Sequence, residues 1–156
     1  MISPIMHDPD LYVSTEPEAV LGQLFYHPEG AIYRYGQAVD VTATVGFVVE
    51  YTATPGVYTA DRAGGSSLGR RTAGVAAFTI PADSYGYFQV SGAGRHALLT
   101  DGGIAAGDPI IGHATTNGGI DTGTIGTDDG VQFGTALVAD TGTVLAAGEY
   151  MIHGIL

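Results

Sequence analysis

Glycine decides what this chain can become. Of 156 residues 25 are glycine, well above the average share of about 7%, and they fall between short apolar runs without a collagen-like period. Each glycine cluster interrupts the chain before a long helix can form, so the expected structure is a set of short strands joined by tight turns. Charged residues make up 13% and apolar residues 45%. That balance describes a weakly charged fold with a real core and gives no sign of disorder. The length suits one domain of ordinary size.

The clearest stretch runs from Ser84 to Gly112. From Tyr85 to Ser91 the residues alternate, Gly86, Phe88 and Val90 on one face and Tyr85, Tyr87, Gln89 and Ser91 on the other. This is the period of a half-buried strand. Gly92-Ala93-Gly94 reads as a hairpin link, Arg95 to Thr100 as the returning strand, Asp101-Gly102-Gly103 as a second turn, and Pro109-Ile110-Ile111 as a third strand that proline opens.

Upstream, Val20 to Tyr26 and Ala31 to Tyr35 flank the turn His27-Pro28-Glu29-Gly30 and predict a hairpin. Phe47 to Tyr51 is a strand with Phe47, Val49 and Tyr51 on one face, and Thr54-Pro55-Gly56 turns it into Val57-Tyr58-Thr59. Thr72 to Ile80, Gln132 to Val138 and Tyr150 to Leu156 read as further strands, and Thr115 to Gly130 as a run of short turns. Residues 41–49, 104–111 and 145–152 each place small residues and a glycine before an apolar strand. The spacing of this hook is irregular, so it marks a reused turn and not a solenoid. The expected class is all-β: a small glycine-rich barrel or sandwich of short antiparallel strands, residues 20–156, preceded by an extended arm, residues 1–19.

The arm carries Pro4, Pro9 and Pro17, several acids, and the apolar residues Ile2, Ile5, Met6, Leu11, Tyr12 and Val13 without helical or strand period. It is either a loose terminus or a segment that docks on its own subunit or a neighbour. Glu16, Glu18 and Ala19 are expected to add one helical turn.

Sixteen acids against five arginines and no lysine leave a net charge of −11. Such a surface argues against nucleic-acid binding, which depends on clustered cations. No apolar run approaches the roughly 20 residues that span a bilayer, so no membrane partner is expected, and the start of the chain lacks a signal-peptide pattern. Without cysteine there is no disulfide framework or thiolate metal site. Three of the five arginines, Arg62, Arg70 and Arg71, fall in the loop-like segment 61–71. They either pair with acids of a partner subunit or offset nearby carboxylates.

Reaction chemistry is hard to find. The turn aspartates Asp101, Asp108, Asp121, Asp128, Asp129 and Asp140 match no calcium loop and read as groups bonding their own backbone. The histidines His7, His27, His96, His113 and His153 lack metal-ligand spacing, and His153 reads as a packed or interface residue. No serine lies in a nucleophile elbow, and Gly64 to Gly69 lacks the lysine and helix of a phosphate loop. We therefore expect no enzyme, metal or cofactor. Tyr33, Tyr35, Tyr85 and Tyr87 either form a contact surface or pack over the barrel ends.

Three runs, Gly86 to Gly92, Leu98 to Ile110 and Val131 to Leu137, together with Leu21-Gly22 and Ala31 to Tyr35, resemble the small capsid decoration (cement) proteins of tailed bacteriophages. The similarity spans residues 20–156 and rests on turn-and-strand patterns. It implies a structural protein, made in the host cytoplasm, that adds to the outer surface of an assembled capsid as a homotrimer and bridges major capsid protein subunits. On this reading Ile2, Ile5, Met6, Leu11 and Tyr12 of the arm, and Arg62, Arg70 and Arg71, contact the capsid or a neighbour, and deleting residues 2–13 removes capsid binding. The alternative expectation is a host-surface or glycan-binding β-module. The absence of tryptophan counts against it.

Overall fold

The computed structural model describes residues 13–39, 42–60, 72–100, 103–113, 116–123, 132–140, 142 and 144–154. The strands are β1 (Val13–Ser14), β2 (Leu24–Tyr26), β3 (Ile32–Val39), β4 (Val48–Tyr51), β5 (Val57–Thr59), β6 (Thr72–Ala76) and β7 (Tyr85–Ala93). They continue with β8 (Leu98–Leu99), β9 (Pro109–Gly112), β10 (Ile120–Thr122), β11 (Gly134–Ala136), β12 (Val144–Leu145) and β13 (Tyr150–Ile152). No helix occurs among the described residues, and the helical turn expected at Glu16 to Ala19 is a bend. Ser14 explains the bend: its Oγ donates to the Glu16 carbonyl at 2.7 Å and accepts the Glu16 N–H at 3.1 Å. Such a local bond offers the backbone an alternative to helix.

Five strands close a barrel in the order β3-β7-β6-β4-β5, with β5 returning to β3. Every pairing is antiparallel except β3 with β5, which runs parallel through Gln37↔Val57, Ala38↔Tyr58 and Val39↔Thr59. The expected antiparallel pattern fails there for a topological reason. Directions cannot alternate all the way round a ring with an odd number of strands, so one pair must be parallel. The interior is narrow. Tyr58, Phe88, Val49 and Ile80 fill it together with Ala38, Ala43, Ala60, Ala73 and Ala76. Tyr58 and Phe88 meet edge to face at 5.0 Å. Space for the Tyr58 ring comes from Gly36, where a Cβ would lie 2.1 Å from it.

β7 is the spine. One edge pairs with β3 from Tyr85 to Ser91. Its other edge takes three strands in turn: β1 at Tyr85 and Gly86, β6 at Phe88 and Gln89, and β13 at Gly92 and Ala93. The expected hairpin at Gly92 to Gly94 is therefore absent. β7 continues through Gly92 and Ala93, and β8 pairs with β12 instead of returning along β7. Gly94 serves close approach, since a Cβ there would enter the Tyr150 ring, while Gly92 takes a φ of 97° with Gly30 and Ala31 close by. Gln89, fully buried, locks the exit, since its Nε2 donates to the Ala93 carbonyl at 2.7 Å and its Oε1 accepts the Arg95 N–H at 3.1 Å.

Through β13 the spine leads into a second group of strands, ordered β13-β11-β9-β10. Ile110, Ile120, Phe133, Leu98, Ile104, Leu145, Tyr150 and Ile152 form its core, joined by Val48 and Val75 from the barrel wall. Strand β10 lies inside the stretch read as turns, and β12 ends on Leu145, the first residue of the third hook. Both faces of β7 are covered, not one. Gly86 to Val90 are all buried, because Tyr87 joins Tyr33, Tyr35, Ala31 and Ala77 in a cluster on the barrel's outside.

The recurring hook is one turn used three times. Thr44, Ala105 and Ala146 each accept, through the carbonyl, the N–H of the residue three positions on, Phe47, Asp108 and Glu149, at 2.8, 3.1 and 3.1 Å. The third position is Gly46, Gly107 or Gly148, each with φ between 82° and 92°, as a type II turn requires. In the last two copies the closing acid also binds back, Asp108 to the Ala105 N–H at 2.9 Å and Glu149 to the Ala146 N–H at 2.8 Å.

Candidate functional site

The residues expected to make contacts, Ile2, Ile5, Met6, Leu11, Tyr12, Arg62, Arg70 and Arg71, lie outside the described residues. The base of the arm is described. Val13 and Ser14 pair with Gly86 and Tyr85, and Val13 packs half-buried against the barrel core. Beyond it the Glu18 N–H donates to the Tyr35 hydroxyl at 3.1 Å, and Ala19 packs on the outer tyrosine cluster. Val13 is thus part of the body, which a deletion of residues 2–13 would damage.

The tyrosines pack; they do not form an exposed platform. Tyr33 and Tyr35 are fully buried and Tyr87 nearly so. Tyr35 stacks with Tyr85 at 6.3 Å and meets the edge of Tyr87 at 5.3 Å, while Phe25 tilts over Tyr87 at 6.0 Å. Burial pushes the Tyr35 and Tyr87 hydroxyls above their ordinary pKa, because the charged form is poorly solvated there.

A charged centre that sequence reasoning overlooked sits in the barrel. Arg34 shares the inward face of β3 with Gly36 and Ala38 and is buried. Its guanidinium donates to the Tyr51 hydroxyl and lies 5.7 Å from the centre of that ring. Tyr51 in turn meets the edge of Tyr58 at 5.8 Å. Burial raises the Tyr58 hydroxyl pKa, and the Arg34 charge and hydrogen bond oppose that rise. The available signal was an arginine alternating with tyrosines inside an apolar strand. Its bond to Tyr51 makes it a strut across the barrel.

Asp108 and Asp140 accept backbone N–H groups in their own turns, from Ala105 and Gly142 at 2.9 and 2.8 Å; Asp121 lies on β10, where it accepts the Thr122 N–H at 2.7 Å, and Asp101, Asp128 and Asp129 lie outside the described residues. Among the described residues no group of three His, Cys, Asp or Glu could hold a metal ion. His153 is not packed: it is exposed, with its Nε2 3.0 Å from the Thr135 Oγ1 on the neighbouring strand.

Exposed apolar side chains are gathered at three places: Val20, Leu21 and Tyr26 around β2, Val45 and Phe78 on two adjoining loops, and Leu137, Val138 and Val144 on the second group of strands. The loops bearing Val45 and Phe78 are rigidly tied, with Ala43 and Ile80 exchanging both backbone bonds and the Val45 N–H donating to the Thr79 Oγ1 at 3.1 Å. These surfaces offer contact area and no reactive group. Comparison with family models, curated proteins and solved structures returned no match.

Proposed function

We propose that this chain is a structural capsid decoration protein, a homotrimer that binds the outside of an assembled bacteriophage head and bridges major capsid protein subunits. The observation that carries the reading is the anchoring of the N-terminal segment. Strand β1 occupies a slot on the edge of the spine strand β7, and the twelve residues before it hold Ile2, Ile5, Met6, Leu11 and Tyr12. An apolar segment rooted on the most tightly held strand transmits load from a neighbour straight into the barrel. The runs that carry the resemblance also belong to the framework, contributing most of β7, all of β8 and β11, and half of β9.

Function here is additive binding. A protein that binds only the assembled shell stabilises it by mass action, and repetition over a symmetric lattice multiplies weak contacts. The test is cryo-electron microscopy of virions carrying this chain. Density at symmetric shell positions is the expected result; absence from the shell, with binding on a glycan array, would replace this reading by the adhesive module. A chain lacking residues 2–12, with Val13 retained, is expected to fold normally and lose capsid occupancy.

A further inference from the structure

Among the described residues β2 is paired on one side only, to β3, in the register Leu24↔Arg34, Phe25↔Tyr33 and Tyr26↔Ile32. Flanking bonds fix which groups face inward: the His27 N–H donates to the Ala31 carbonyl at 2.8 Å and the Tyr35 N–H to the Gln23 carbonyl at 2.9 Å. Antiparallel pairs alternate, so the Gln23 carbonyl, Phe25 and the His27 N–H face β3, the Gln23 N–H turning back to the Val20 carbonyl at 2.9 Å, while Leu24 and Tyr26 direct their backbone groups away. The outer edge thus presents two N–H and two C=O groups in an extended row. Such a row matches another extended backbone.

We propose that this edge docks, by strand addition, an extended segment of a partner protein in which basic and apolar residues alternate. Soluble proteins guard open edges with shortness, lysine, proline, bulges or inward charges; Leu24–Tyr26 is three residues long and has none of the other guards. Its surroundings are apolar: Tyr26 is 68% exposed, Val20 74%, and Leu21 is exposed beside them. Residues 13–33 contain Glu16, Glu18 and Glu29 and no arginine or lysine, in a chain of net charge −11. Of these acids Glu29 is bonded to Arg95. A second copy would bring the same charge to the edge and be repelled, whereas a cationic strand is drawn to it. This surface is independent of the capsid reading, since a free peptide suffices to probe it.

The probe is a capped peptide of about nine alternating Arg and Val residues, the length of a long strand, titrated into the full chain with amide hydrogen exchange as readout. In the free chain the Leu24 and Tyr26 amides are expected to exchange fast and the Phe25 amide slowly. Saturating peptide is expected to slow Leu24 and Tyr26 at least about tenfold. A Glu-Val peptide, and an Arg-Val peptide N-methylated at alternate residues, are expected not to bind. Tyr26→Pro removes an N–H that β3 does not use, so it is expected to preserve the hairpin and weaken binding about tenfold relative to Tyr26→Ala. The N-methylated peptide interrogates the same bonds without altering the chain, should Tyr26→Pro disturb the hairpin. The proposal is overturned if both amides are already protected in the free chain, if they become protected by self-association, if the Glu-Val peptide binds equally, or if binding leaves both amides unprotected.

Discussion

The barrel and the second group of strands share β7 and are filled in opposite ways. Inside the barrel two rings, Tyr58 and Phe88, stand among five alanines. The second core is mostly aliphatic, with Ile104, Ile110, Ile120, Ile152, Leu98 and Leu145 around Phe133 and Tyr150. Five strands enclose too little width for a layer of branched side chains on every wall, so two rings, the branched Val49 and Ile80, and alanine elsewhere fill it. The β9, β10, β11 and β13 group does not close on itself. It lies against the barrel wall, where Val48 and Val75 reach across, and branched side chains fill that wider space.

The largest expected effect tests this difference directly. Phe88→Ala removes one of two rings that alanines cannot replace, so it is expected to cost about 4 kcal/mol. Ile110→Ala, whose neighbours are longer and can relax inward, is expected to cost about 3 kcal/mol. Urea unfolding measures both. A Phe88→Ala loss smaller than that of Ile110→Ala would mean that the barrel collapses around the void and is not held by its rings.

Both regions also set a ring on a glycine, which sharpens the comparison. A Cβ on Gly36 would lie 2.1 Å from the Tyr58 ring and one on Gly94 2.0 Å from the Tyr150 ring. Gly36→Ala and Gly94→Ala are each expected to cost about 2 kcal/mol through overpacking. Each penalty should shrink when the facing tyrosine is replaced by leucine, because residues in contact are non-additive. Additive double mutants would place the strain in the backbone.

These contrasts show how much of the fold the residues declared. Strands β4 and β7 were legible because alternation over four or more residues separates two faces, β3 only to Tyr35, since it runs on to Val39, and the hook was legible because a type II turn demands glycine in one place. Strands β10 and β12 span three and two residues, too few for a period, while β8 falls inside the strand expected at Arg95 to Thr100 but pairs with β12 and not along β7. Gly92 has a positive φ, 97°, yet β7 runs on through it, and Gly94 was misread because glycine marks close approach as well as turns; the Tyr150 ring over Gly94 distinguishes the two. Arg34 was passed over because its partner Tyr51 is 17 residues away. Of the expected contact surface, Val13 at the arm's base is placed against β7, while the arm and loop residues fall outside the described ones.

A smaller effect separates the regions by pH. Burial holds the Tyr150 hydroxyl well above its ordinary value of 10.0, and the hydroxyl donates to the His96 carbonyl at 2.7 Å. Below pH 10 both folded and unfolded chains keep this proton. Above it the unfolded chain releases the proton first, so stability falls as pH rises. Tyr35, Tyr58 and Tyr87 act in the same direction from the barrel side. Tyr150→Phe is expected to cost about 1 kcal/mol at neutral pH and to flatten the alkaline loss. An unchanged slope would assign that loss to the barrel tyrosines.

The smallest effect concerns the tie between the β2–β3 turn and the exit of the spine, where the Arg95 guanidinium donates to the Glu29 carboxylate. Arg95, first by this hydrogen bond and then by its charge, holds the Glu29 carboxyl below its ordinary value of 4.5. A depressed carboxylate contributes stability that is fully present above the unfolded value and lost as pH falls through the folded one. Glu29 is exposed, and solvent screens the pair, so the contribution is small. Glu29→Gln is therefore expected to lower stability slightly at neutral pH and low salt. The difference from the parent chain should vanish well below pH 4.5, and in about 1 M salt, where the screening length is about 3 Å. Urea midpoints at the two pH values and two salt concentrations measure it. A difference that survives both acid and salt would make the contact one of shape, in which Glu29 holds the turn by packing and the two regions meet there without an electrostatic tie.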